Sequence, residues 1–242
     1  MVAKVNLASR SVARAHRRAG SPIFRVKKQI LHSRDRFWHA NELPSSVSTS
    51  QRLLADLCRQ GELVHVRKGL YWRGRSTPLG MSPPPPAALT KELVGTEGVG
   101  PAGASAALLL RLSTQVPRQS QVAVTGRPPS DIGPVKFVSR AARTGRRDAN
   151  LSLIEVAVLE VLEGWSDVIE VPLPEAWKRL LQLLSSKEVS ATRLGRAAGT
   201  EPGAVRARLA ALLSDAGHDR AASLFPEPDP RTAARALKSA LR

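Results

Sequence analysis

Ser48-Thr49-Ser50-Gln51-Arg52 is the chemically most informative stretch of the chain. It concentrates hydroxyl, amide and guanidinium donors in a few residues. Gln can pair bidentately with adenine and Arg with guanine, while Ser and Thr hydroxyls reach phosphate or either kind of base. Arg59 lies further along the same segment, and Arg67-Lys68 sits between two short runs of alternating character. These are groups for gripping and reading a polyanion. No comparable set exists for making or breaking bonds. His16, His32, His39, His65 and His218 are scattered without metal-ligand spacing, and no Ser, His and Asp set suggests itself. Asp131 and Lys136 flank a turn, but the second acid that a nuclease-type metal site wants before the lysine is missing. Glu155, Glu160 and Glu163 fall between apolar positions of a helix, the pattern of a solvated face. Gly98 to Gly103 matches G-x-G-x-x-G, yet neither a preceding strand nor a later acid accompanies it, so it reads as a turn entering a helix. The expectation is a protein without catalysis, cofactor or metal.

Charge points the same way. The 242 residues carry a net charge of +17, and residues 1–80 hold 16 basic and 4 acidic side chains, a net +12. The remaining residues contribute only +5. A basic field confined to one third of the chain favours a polyanionic partner through counterion release. Arg outnumbers Lys 28 to 9. A GC-rich genome would account for that ratio, but not for the scarcity of acids in the first third. The single cysteine, Cys58, excludes an internal disulfide and a cysteine metal cage. Without a signal-peptide pattern, a reducing cytoplasm is the expected location. Apolar runs such as Ala104 to Leu110 are too short to cross a bilayer, so no membrane partner is expected.

Periodicity supplies the elements that position these groups. Residues 1–22 form a basic arm with Lys4, Arg10, Arg14, Arg17 and Arg18 and no acid. The arm suits a mitochondrial presequence or an extension lying along DNA. Residues 23–76 read as a winged helix-turn-helix domain. Ile23, Val26, Ile30 and Leu31 predict a first helix, with Pro22 in its first turn, and Phe37 to Leu43 predicts a second, closed by Pro44. The serine cluster supplies an N-cap, Leu53, Leu54, Leu57 and Cys58 form the apolar face of a third helix, and Gly61 ends it. Alternation then marks two strands, Leu63 to Val66 and Leu70 to Arg73, around the basic tip Arg67-Lys68-Gly69. In such a fold Ser48, Thr49, Ser50, Gln51, Arg52 and Arg59 face the major groove, and Arg67 and Lys68 the backbone or minor groove. Arg17 and Arg18 would add contacts from the arm.

Residues 77–89, with five prolines, read as a semi-rigid linker. Residues 90–242 read as a second domain of mixed α+β character, so the whole chain is expected to be α+β and mainly helical. Lys91 to Val94 and Ala104 to Leu112 predict helices, Gln121 to Thr125 and Val135 to Ser139 strands. Arg140, Arg143, Arg146 and Arg147 make a basic loop whose partner, whether DNA, RNA or another protein's substrate, stays open. Helices are expected at 151–163, 173–185, 190–198, 202–215 and about 230–241. Ala191 to Leu213 could also pass as a second helix-turn-helix, although a packed antiparallel helix pair is the favoured reading.

In this order the segments resemble the AbiEi family of antitoxins from bacterial type IV toxin–antitoxin systems. The stretch Ile23 to Arg73, with the hairpin Leu63-Val64-His65-Val66-Arg67-Lys68-Gly69-Leu70-Tyr71, resembles that family's winged-helix domain. Gly103-Ala104-Ser105-Ala106-Ala107-Leu108-Leu109-Leu110-Arg111-Leu112-Ser113-Thr114-Gln115-Val116-Pro117 resembles the segment opening its antitoxin domain, and Leu153 to Leu162 the helix after its strands. The resemblance spans residues 23 to about 215 and rests on the order of several moderate motifs. It implies a transcriptional autorepressor that binds inverted-repeat operator DNA, with dimerisation on symmetric half-sites, and a second domain that counters a nucleotidyltransferase-like toxin without a necessary stable complex. A stand-alone regulator with no toxin partner is the alternative.

Overall fold

The computed structural model describes residues 22–240, so the arm, with Arg17 and Arg18, lies outside the described residues. The chain divides into two compact units that meet at Pro85 and Pro86. Helix dominates, with three small sheets, which makes the fold α+β and mostly helical.

In the first unit, α1 (Pro22–His32) buries Val26 and Ile30 at one-turn spacing. The helix expected from Phe37 to Leu43 is instead a strand, β1 (Arg36–His39), followed by a turn. The reason lies in its aromatic pair. On a strand Phe37 and Trp38 point to opposite sides, so Trp38 enters the core while Phe37 packs 4.6 Å from the Trp72 ring on the adjacent strand. Asp35, at φ 51°, turns the chain into that strand. After the turn come α2 (Val47–Arg59) and the hairpin of β2 (Val64–Arg67) and β3 (Leu70–Arg73). The sheet runs β1-β3-β2, both pairings antiparallel, with β1 register Phe37↔Trp72 and Trp38↔Tyr71. Leu54 and Leu57 of α2 share one core with Ile30, Trp38, Leu63 and Tyr71.

The proline-rich segment is shorter as a spacer than its composition suggests. β4 (Ser76–Thr77) and β5 (Gly80–Met81) form a tight hairpin, closed by the Thr77 hydroxyl donating to the Gly80 carbonyl at 2.8 Å. Trp72 Nε1 donates to the Ser82 carbonyl at 3.0 Å and fixes its exit. At Pro86 the chain already enters α3 (Pro86–Val94), because proline is tolerated where a helix's first amides lack partners anyway. Lys91 to Val94 is therefore the end of that helix and not its start.

The second unit is built around α6 (Leu153–Glu163), whose residues from Glu155 to Leu162 are all buried. A helix that is enclosed on every side has to be a core helix. It packs against β6 (Gly100–Pro101), α4 (Gly103–Leu109) and α10 (Gly203–Asp215). β7 (Ser120–Val124) is central in a three-stranded sheet, antiparallel to β6 and parallel to β8 (Val135–Ser139). The connection between β7 and β8 has no helix; Asp131 closes it by accepting from the Phe137 amide at 2.9 Å. The remaining helices are α5 (Gly145–Asp148), α7 (Trp165–Val168), α8 (Leu173–Ser185), α9 (Ala191–Ala198), α11 (Asp219–Ala222) and α12 (Pro230–Ala240).

Glu155, Glu160 and Glu163 do not form a solvated face. Glu155 is fully buried: it completes a capping box with Ser152 and also accepts from the Ser190 amide and from Arg193. Glu160 accepts from Arg140 at 2.7 Å and Arg146 at 2.6 Å. Arg146, fully buried, also forms a two-pronged pair with Glu201 at 2.6 and 2.9 Å, and Arg143 bonds Glu163. The apparent basic loop is thus an internal lattice of three arginines and three glutamates, with only Arg147 exposed. Helical spacing gave no hint of it, because the glutamates' partners come from outside the helix.

Burial alone would raise the Glu160 carboxyl, but the bonds and charges of Arg140 and Arg146 outweigh it and hold the group below its usual value of 4.5. A depressed folded-state value contributes stability above the ordinary carboxylate range and loses it as pH falls through the lower folded value. Urea unfolding should therefore show a midpoint that is flat above about pH 5 and declines below it. Glu201→Gln, which strips Arg146 of one partner, should cost about 3–5 kcal/mol at neutral pH, while Asp56→Asn on the surface costs below about 1 kcal/mol.

Candidate nucleic-acid interface

The beginning of α2 is set by its own serines. Ser46 is the N-cap, and its hydroxyl accepts from the Thr49 amide at 3.3 Å and bonds the Thr49 hydroxyl at 2.8 Å. Ser50 lies on the inward face with Leu54 and Leu57, fully buried, its hydroxyl 2.7 Å from that of Ser45. Ser50 is therefore not available to a groove; it locks the turn that aims the helix. The opposite stripe carries Ser48, Arg52 and Arg59, all exposed, with Thr49 exposed and Gln51 half-buried beside it. Those spacings return to one face of a helix.

At the hairpin tip Arg67 and Lys68 are exposed. Gly69, at φ 77°, makes the turn that a side chain would strain, and its carbonyl accepts from the Ala40 amide at 3.0 Å. The tip is thus tied to the turn that precedes α2. Because α2 and the hairpin close on one core, both basic groups stand on the outside of a single small body.

The electrostatics separate the arginines into two kinds. Arg59 pairs with Asp56, Arg73 with Glu62 at 3.0 Å, and Arg75 with Asp35 at 3.3 Å. Arg36 lies 4.3 Å over the Trp38 ring. Arg52, Arg67 and Lys68 have no acidic partner among the described residues, nor do Arg25 and Lys28 on the exposed side of α1. Both lie away from the buried Val26 and Ile30 and add to the exposed positive charge of the first unit. Arg59, held by Asp56, is the weakest member of the expected set.

In the helix pair α9–α10 the arginines other than the exposed Arg196 are engaged within the unit. Arg206 donates to the Pro226 carbonyl at 2.9 Å, Arg208 donates to the Leu162 carbonyl at 2.6 Å, and Glu201 in the turn grips Arg146. The glycines of Gly98 to Gly103 serve packing: Gly98, at φ 64°, sits where a Cβ would lie 2.6 Å from the Arg147 amide nitrogen, and Gly100 lies against Val156. The Gly103 to Pro117 segment is pinned by Glu170, which accepts from the Ser113 hydroxyl at 2.7 Å and the Thr114 amide at 2.8 Å. Among the described residues no cluster of His, Cys, Asp and Glu could hold a metal ion, and no helix is long and apolar enough to cross a membrane.

No protein-family model matches the chain, and no curated protein matches it. Among solved structures, the crystal structure of the RV2827C protein from Mycobacterium tuberculosis is similar, with a TM-score of 0.51 and 19% identity. The match covers 84% of this chain and 80% of that one. At that identity the likeness is one of fold.

The two faces of α2 should respond differently to substitution. Ser50→Ala should lower stability by about 1 kcal/mol, the loss of one buried hydrogen bond. Arg52→Ala should stay within about 0.5 kcal/mol of the parent. Urea unfolding followed by tryptophan fluorescence reads both.

Proposed function

We propose that the chain is a DNA-binding transcriptional autorepressor and antitoxin of a toxin–antitoxin operon. The observation that carries the DNA-binding half is the outward stripe of α2. Ser48, Thr49, Gln51 and Arg52 stand at the beginning of a serine-capped helix, and Arg52 has no acid to neutralise it among the described residues. The order helix, strand, helix, hairpin, with sheet order β1-β3-β2, supports reading the first unit as a winged helix in which a turn replaces the middle helix. In that reading α2 enters the major groove and the Arg67-Lys68 tip meets the backbone or minor groove. The net +12 of residues 1–80 supports it further.

The antitoxin half rests on the resemblance of Gly103 to Pro117 and of the α6 segment to AbiEi antitoxins. The second unit would then counter a nucleotidyltransferase-like toxin, while the first binds inverted repeats upstream of the operon. Two copies on successive half-sites would match symmetric DNA to a two-fold protein arrangement.

Mobility shift across a salt series tests the first half. The full chain should prefer duplex from immediately upstream of its gene over scrambled duplex. Gln51→Ala or Arg52→Ala should erase about 1–3 kcal/mol of that preference. Arg67→Ala or Lys68→Ala should weaken both duplexes equally and lower the salt slope by about one. Equal affinity for both duplexes in the parent would refute an operator reader. For the second half, the Arg52→Ala chain should derepress the operon yet still rescue growth when co-expressed with the neighbouring toxin. Loss of rescue together with DNA binding would contradict separate roles for the two units.

A further inference from the structure

A polar cavity of about 380 Å³ opens in the second unit at the carboxyl end of β7, and no residue of the buried ion lattice lines it. Its lining includes Thr96, Thr125, Gly126, Arg127 and Arg147, which come from three separate segments. The chain leaves the sheet here after β7, so its backbone and side chains from Thr125 to Arg127 line the cavity.

The cations here are not committed elsewhere. Arg140, Arg143 and Arg146 are drawn inward by glutamates, but Arg147 next to them is exposed and reaches only Asp148, at 3.9 Å. Arg127 is exposed with no acidic partner among the described residues. Glu97 also lines the cavity, so the two arginines leave it one positive charge in surplus.

Thr125 adds a third group: it lines this cavity, and its hydroxyl makes no hydrogen bond within the described residues, so it is free to donate to a bound oxygen. Arg147 is held in place by its neighbourhood, because Gly98 closes on the backbone of Arg146 and Arg147 more tightly than any side chain would allow. The site is therefore shaped by the packing of the unit and not by one mobile loop.

We propose that this cavity binds the phosphate group of a small phosphorylated molecule of about mononucleotide size. Two guanidinium groups match the oxygens of a phosphate in paired hydrogen bonds, and the Thr125 hydroxyl supplies a further donor from the cavity wall. The volume is at the low end of ligand pockets and admits the phosphate with a compact body attached.

Isothermal titration of the full chain at constant ionic strength tests the assignment, with inorganic phosphate, adenosine monophosphate and a dinucleoside joined by a phosphodiester, without terminal phosphate, as probes. Inorganic phosphate and the monophosphate should bind saturably. Arg147→Ala and the nearly isosteric Thr125→Val should each weaken both by about tenfold or more. Arg52→Ala should leave them unchanged, which separates this site from the DNA face. Three results would overturn the proposal: no saturable binding, binding indifferent to Arg147→Ala and Thr125→Val, or binding lost in Arg52→Ala instead. Binding of the bridging phosphodiester as tightly as the monophosphate would assign the cavity to a diester backbone and overturn the proposal as well.

Discussion

The grip of Glu160 and Glu201 on Arg146 is the constraint on which the second unit depends. A guanidinium with no exposed surface needs its charge answered from close by, and here two carboxylates from different elements answer it. That requirement fixes α5 against α6 and against the turn between α9 and α10. It also fixes where positive charge is left over. Arg140 and Arg143 are drawn into the same lattice, so a segment rich in arginine contributes little field to the surface.

The first unit does the opposite. Its four acids are few, and three of them, Asp35, Asp56 and Glu62, hold Arg75, Arg59 and Arg73. What remains outward includes Arg52 on α2, the Arg67-Lys68 tip, Arg34 and the exposed cations of α1. The serine cluster gives these groups direction. Ser46 caps the helix and Ser45 with Ser50 secures the turn before it, so the residues that can read bases stand on a fixed helix end. Direction and surplus charge together make the case for DNA, and neither would suffice alone.

Much of this was legible in the sequence wherever one local rule acted alone. The amphipathic spacing of Val26 and Ile30, the serine N-cap of α2, the hairpin around Gly69 and the longer helices α6, α8, α9, α10 and α12 follow from neighbours within a few residues. The failures came where a distant partner decided. Phe37 and Trp38 form a strand because β3 offers them a register and Trp72 a ring to pack on. Ser50 looked like its neighbours until the phase of Leu54 and Leu57 turned it inward. Glu160 looked solvated because Arg146 and Arg140 lie 14 and 20 residues away. Composition likewise misjudged the prolines, since Pro86 begins a helix at the position where proline is least disruptive.

The central claim is that α2 and the hairpin tip are the surface that meets DNA. Backbone amide shifts of the full chain, followed by NMR as duplex from the upstream region is added, test it most directly. The account predicts the largest changes at Ser48, Thr49, Gln51, Arg52 and Lys68, with Arg140 to Arg146 unmoved. Changes centred on the second unit, with the α2 amides undisturbed at saturation, would contradict it.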